Sequence, residues 1–246
     1  MLLLVIAHAA IGYGWAGFAG FFAITYVVAL LFEASSIATG FPFGFYVHHL
    51  GPVLKLLGVP WLVPLGYVAA GWFAWTLACV LVRDHPSKSG GWARFTTPLI
   101  ASFIVTGSDA CFDPIGATAR GQWTYRDPSG LSGVPLTNFL GWLLTCWVFY
   151  QIFALCEPRF RPRPITERTG YWVAPCLIWI AMAAQYPLMY RTASHAVVAT
   201  GGRSFVVADI YETAVTMSLL THVFVGLLAM VRALAPERAR VAASDC

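Results

Sequence analysis

From Met1 to Phe32 the chain carries no Asp, Glu, Lys or Arg. Inside a bilayer every backbone N–H and C=O of such a run must be paired within the segment, which only helices and closed barrels achieve. Similar apolar runs recur along the chain. They are continuous rather than alternating, which argues for helices and against a β-barrel. Composition agrees: 59% of residues are hydrophobic and 11% charged, where a soluble domain carries about 25% charged residues. The expected fold is all-α, a polytopic transmembrane helix bundle. At roughly 20 residues per span, the 246 residues accommodate about seven spans, within a range of six to eight.

The seven stretches are residues 2–11, 16–35, 59–82, 95–112, 136–156, 171–189 and 205–234. They make one membrane domain, residues 1–234, followed by a polar cytoplasmic tail, residues 235–246. Gly12-Tyr13-Gly14 separates the first stretch from the second. The first is shorter than the ~17 residues that a span needs, so it either tilts into the interface or continues a helix that starts upstream. A signal peptide fits poorly, because no basic segment precedes the apolar run. Lys and Arg number ten in the loops after the third, fifth and seventh stretches and five in those after the second, fourth and sixth. The positive-inside rule puts the first set in the cytoplasm. Loops 33–58 and 113–135 then share the other face, with Glu33, Asp109 and Asp113 beside them. The net charge of +4 reflects this topology; membrane lipid is an expected partner and nucleic acid is not. The six cysteines form no C-x-x-C pair or zinc spacing and read as small hydrophobes.

Residues Asp109 to Trp142 are the chemically richest stretch. Asp109 and Asp113 are four apart and share one helical face. Pro114 disfavours helical backbone at Asp113, so the helix is expected to end there. A carboxyl group among apolar side chains resists ionisation, and of two neighbouring carboxyls one tends to keep its proton. Such a group can act as a general acid towards a substrate with few polar atoms, such as an isolated alkene. The tertiary carbocation formed would be stabilised by aromatic faces, here Trp123, Tyr125 and Trp142. Blander roles also fit these residues. Asp113 could be an interfacial cap, Trp142 part of an aromatic belt, Glu33 the partner of an arginine or a helix cap, and Asn138 a cap. His48 and His49 are adjacent and lack the further ligands that a metal site needs, so no metal is expected. Asp209 and Glu212 share a face near His222 and could line a cavity or an ion path.

Two groups of residues resemble one known family. The first is Glu33, Thr39-Gly-Phe-Pro-Phe-Gly44-x-Tyr46, Leu50-Gly51-Pro52, and Gly58-Val-Pro60 with Pro64. The second is Asp109-x-x-Phe-Asp113-Pro114, Trp123-x-Tyr125 and Gly133-Val-Pro135-x-x-Asn138-Phe-x-Gly141-Trp142. Together they look like the integral-membrane carotenoid biosynthesis proteins, among them CruF-type carotenoid 1,2-hydratases and bisanhydrobacterioruberin hydratases. The likeness covers about residues 16–156. His48 stands where the family pattern has Tyr, and Tyr125 where it has Trp. Basic residues expected between the first two spans are missing here.

The resemblance implies a bacterial or archaeal-type cell membrane and a lipophilic isoprenoid or carotenoid substrate. It leaves other carotenoid-pathway enzymes as candidate partners. The implied reaction adds water across the terminal double bond of an acyclic ψ-end, with no cofactor. Joined to the acid chemistry, it marks Asp109, Asp113 and Glu33 as candidate catalytic residues. Tyr46, His48, Trp123, Tyr125, Asn138 and Trp142 are the candidate substrate-binding residues. Two other readings fit the same residues: a membrane terpenoid or meroterpenoid cyclase, in which a second alkene replaces water, and a non-enzymatic carrier of lipophilic pigments or small ions.

Overall fold

The computed structural model describes residues 1–82, 91–160 and 162–235. Six helices are long and apolar enough to cross a membrane: Leu2–Thr39, Val63–Val82, Ala93–Ala119, Leu136–Arg159, Thr169–Arg191 and Val207–Leu234. The chain is a multi-pass integral membrane protein with a helical bundle fold. Loop residues 83–90, with Arg83 and Lys88, lie outside the described residues, as do Arg161 and tail residues 236–246.

The first two expected spans fall in one element, α1 (Leu2–Thr39), which leaves helical geometry at Gly14 with φ 71° and ψ 175°. Only glycine holds that conformation without strain, and the chain folds back there. The Trp72 ring lies 6.2 Å from His8 and 5.0 Å from Phe21. Thirteen residues of unbroken helix would hold those two about 20 Å apart. Residues 2–13 are therefore a half-length helix packed against the bundle, with Val5 and Ala9 fully buried and Tyr13 nearly so, while Leu3, Leu4 and Ile11 on its other face are exposed. Polar groups fasten it to the rest of the protein. His8 accepts from Trp72 Nε1 at 3.0 Å through Nδ1 and meets the Tyr171 carbonyl at 2.8 Å through Nε2. Tyr13 donates to Glu157 at 2.7 Å. Arg163 donates to the carbonyls of Ala10 and Gly12 at 3.1 and 2.8 Å. A helix end otherwise leaves such carbonyls unsatisfied.

The helix α2 (Val63–Val82) packs against α1 and against α3 (Ala93–Pro114), which packs along α4 (Leu136–Cys156). Their shared core is aromatic, with Trp72, Trp75, Phe149, Tyr150 and Phe153 almost wholly buried. Lipid supplies no hydrophobic drive between helices, so such close packing and interhelical hydrogen bonds hold them together. Gly141 on α4 is one point of close approach: a Cβ there would lie 2.5 Å from Phe43. Its absence lets the 41–44 loop lie on the helix. The remaining helices are α5 (Thr169–Ala183), α6 (Gln185–Arg191), α7 (Val207–Ser218) and α8 (Val225–Leu234).

Three helix ends differ from the sequence reading. α3 does not stop at Asp113. It runs through Pro114 into a π turn, Ile115–Ala119, closed by Arg120 N–H to Ile115 O at 2.9 Å. Proline removes one helical donor, and the wider turn absorbs the mismatch. The third span starts at Val63 rather than residue 59, because Val59–Pro60 (β3) pairs with Lys55–Leu56 (β2) in a hairpin. The last starts at Val207 rather than residue 205, after a hairpin of Val197–Thr200 (β5) and Arg203–Val206 (β6). Gly201 and Gly202 turn that hairpin with φ of 58° and 73°.

The strands β1 (Tyr46–His48) and β4 (Trp123–Tyr125) pair antiparallel, with Tyr46 opposite Tyr125 and His48 opposite Trp123. The loops after α1 and α3 thus meet at one end of the bundle. At the other end, the loop after α4 meets the fold-back through Arg163. Lys55, Arg126 and Arg168 are exposed. In an otherwise cysteine-free background, Lys55→Cys and Arg126→Cys should react with an impermeant maleimide from one side of the membrane and Arg168→Cys from the other. Arg126→Cys and Arg168→Cys labelling from the same side would refute this topology.

Candidate active site

The continuous α3 places Asp109 and Asp113 one turn apart on a buried face. Asn138, two residues into α4, reaches both: its Nδ2 donates to Asp109 Oδ2 at 3.2 Å and to Asp113 Oδ2 at 2.7 Å. Tyr125 on β4 donates to Asp113 Oδ2 at 2.6 Å. Asp113 therefore collects two close donors. Asp109 receives one longer contact, and its Oδ1 is buried without a hydrogen-bond partner. Asn138 is thus no helix cap but the amide that ties the carboxyl pair together.

Glu33 lies near the end of α1. Its partners are phenols rather than an arginine. Tyr46 on β1 donates to Oε2, and Tyr67 on α2 donates to Oε1 at 2.6 Å. Tyr67 also stacks on Trp142, with ring centres 4.0 Å apart, which draws Trp142 into the protein and out of an interfacial belt. Burial, and then the adjoining carboxylate, push the phenols of Tyr46 and Tyr125 well above their ordinary range. Both remain hydrogen-bond donors at physiological pH. His48 has its Nε2 3.8 Å from Glu33 Oε2, and its side chain is only 6% exposed. Neither ring nitrogen has a hydrogen-bond partner. The Trp123 ring stands edge-on to His48 at 6.2 Å and lies 6.0 Å from Phe112.

These groups border a cavity of about 420 Å³ between the helices. All nine candidate residues line it: Glu33, Tyr46, His48, Asp109, Asp113, Trp123, Tyr125, Asn138 and Trp142. The rest of its wall is mainly apolar or small, including Phe43, Leu62, Val63, Gly66, Ala69, Ala70, Val105, Phe112 and Met182. Met1, which precedes the folded-back half-helix, lines it too. Sequence reasoning missed Tyr67, Ser108, Gln122, Gln185 and Tyr186 on the same cavity. For Tyr67 the available signal was a hydroxyl within an otherwise apolar span.

Asp209 and Glu212 do not line this cavity. Both are exposed on α7, because that helix turns Ile210, Tyr211 and Ala214 inward instead. His222 is buried in a π turn, Leu219–Phe224, where its Nε2 meets Ser108 Oγ at 3.0 Å and its ring stacks on Trp179. Among the described residues, no group of three His, Cys, Asp or Glu side chains is arranged to hold a metal ion.

Chemically, the cavity offers a carboxyl oxygen and an imidazole without hydrogen-bond partners, close to aromatic faces and next to an apolar volume. The neutral donors around Glu33 are also structural. Tyr67→Phe keeps the ring on Trp142 but strips a buried carboxyl of one donor. An unsatisfied buried group costs about 1–3 kcal/mol. Thermal unfolding in detergent should fall accordingly, and an unchanged melting temperature would refute the role given to this bond.

The family described as carotenoid biosynthesis protein matches residues 1–208, a longer region than the residues that carry the sequence resemblance. The bisanhydrobacterioruberin hydratase of Haloarcula japonica is 34% identical over 123 residues. That alignment covers 49% of this chain and 39% of the relative's length. No solved structure matches.

Proposed function

Because the chain belongs to the carotenoid biosynthesis protein family, we propose that it hydrates the terminal double bond of an acyclic carotenoid end group. One observation carries this reading: a bridged pair of buried carboxyls, with one oxygen of Asp109 unpartnered, on the wall of a largely apolar cavity. A hydrated bacterioruberin precursor is what the name of the archaeal relative implies, and the same kind of substrate suits an apolar volume with one polar end.

The steps follow from the hydrogen bonds. Tyr125 and Asn138 direct their donors at Asp113, so Asp113 holds the negative charge and Asp109 the proton. Asp109 passes that proton through Oδ1 to the alkene, giving a tertiary carbocation. The faces of Trp123 and Trp142 stabilise it, at about 0.5–2 kcal/mol per ring and more when desolvated. Water held near Glu33 and His48 captures the cation and yields a tertiary alcohol. No electrons are exchanged.

The test is expression in a host that accumulates lycopene, with mass analysis of the products. A gain of one water per converted end group is expected. Asp109→Asn keeps the shape and removes the acid. Since general acid catalysis contributes ~10²–10⁴-fold, turnover should fall by that range at normal protein levels. Trp123→Phe, which keeps a π face, should lose much less. A new ring without mass change would mean cyclisation instead. If Asp109→Asn and Asp113→Asn both convert substrate at the wild-type rate, the mechanism is wrong.

A further inference from the structure

We propose that His48 is the base that takes the proton from the attacking water, a role that rests on the hydration reading above. Three observations meet at this residue. Its side chain is 6% exposed, it lines the same cavity as Asp109, and both ring nitrogens lack a hydrogen-bond partner. Buried polar atoms in folded proteins are nearly always satisfied, and an imidazole offers one donor and one acceptor. A histidine serving only as packing would bury one nitrogen against a carbonyl or hydroxyl, as His8 does with Tyr171 O and Trp72. His48 instead lines the cavity with both nitrogens left without a protein hydrogen bond, which calls for a small molecule with donor and acceptor capacity. Water is such a molecule.

The residues around it rule out the obvious alternative. Asp113 already accepts from Tyr125 and Asn138. Glu33 is a further basic group at this end, but Tyr46 and Tyr67 each donate to one of its oxygens. It is held as an acceptor of phenol protons. Its remaining contact is His48 Nε2, 3.8 Å from Oε2. Glu33 is thus a positioning residue: it balances the imidazolium that His48 becomes. The pairing of His48 opposite Trp123 across β1 and β4 fixes the ring beside a face that can hold the cation.

The step balances. The alkene π pair forms a C–H bond with the Asp109 proton. A water lone pair then forms the C–O bond at the tertiary carbon. One water O–H bond breaks, its electrons stay on oxygen, and its proton goes to a His48 nitrogen. Without an acceptor in this apolar cavity, the protonated alcohol would lose water and revert. The cycle closes when His48 returns its proton to the Asp109–Asp113 pair, so one water is consumed.

His48→Gln keeps hydrogen-bonding capacity and removes the base; His48→Phe keeps the ring. Purified protein is assayed with lycopene in detergent micelles made in D2O. Both variants should form alcohol at least ~10²-fold more slowly than the wild type. Protonation should persist, because Asp109 is intact, and deuterium should enter the end group of recovered lycopene as the uncaptured cation gives up a proton. Alcohol formation at the wild-type rate in both variants would overturn the assignment. So would loss of deuterium uptake together with the alcohol, since His48 would then be needed before the cation forms. If the wild type itself yields neither alcohol nor deuterated lycopene, the hydration reading fails, and this inference with it.

Discussion

Three carboxyl groups, Glu33, Asp109 and Asp113, are buried at one end of this bundle, and no Lys or Arg among the described residues pairs with them. Burying charge without compensation is among the costliest things that a fold can do. Here the compensation comes from neutral donors: the phenols of Tyr46, Tyr67 and Tyr125 and the amide of Asn138. Those donors sit on β1, α2, β4 and α4, and the acceptors on α1 and α3. Satisfying the carboxyls therefore locks six elements into one arrangement. Neutral donors also leave the acids unneutralised by a permanent cation, which a proton-donating site requires.

A second polar cluster holds the opposite end. Arg163 occupies the carbonyls at the end of the half-helix, and Tyr13 meets Glu157. These contacts, with the turn at Gly14, keep residues 2–13 against the bundle. They bring Met1 to the cavity wall. Trp72 packs against His8, Tyr13 and Phe21 beside this second cluster.

Cation chemistry in an apolar volume poses a choice between water and a second alkene. The polar end of this cavity bears the unpartnered imidazole of His48, Gln122 and the free oxygen of Asp109. Its remainder is mostly aliphatic, aromatic or small, with Gln185 as a further polar side chain. In the proposed hydration, water is held at the polar end and the isoprenoid chain lies along the apolar wall. Of the four phenols on the cavity wall, Tyr46, Tyr67 and Tyr125 are committed to a carboxylate and Tyr186 is not.

Local pattern was enough for much of this. Long uncharged runs made helices obligatory, a pair of glycines marked the break at Gly14, and four-residue spacing put Asp109 and Asp113 on one face. Motif residues grouped the loops around 46 and 123, and the basic bias put both loops on one side. What the pattern could not carry were relations between distant residues. For Glu33, a candidate catalytic residue, the pattern offers an arginine or a cap as the structural partner, because Tyr67, 34 positions away, has no local tie to it. The half-helix could not be placed against the bundle, since that depends on Trp72, Glu157 and Arg163. The steric bias of Pro114 was overridden once Tyr125 and Asn138 gripped Asp113, and the outward turn of Asp209 and Glu212 came from which face of α7 had apolar neighbours. The sequence by itself determined that the chain spans a membrane and that carboxyls lie at one end, because solvation and helical periodicity act locally. Only the tertiary structure decided which neutral groups satisfy those carboxyls and which polar atoms stay free for substrate, because that is settled by contacts between elements far apart in the chain.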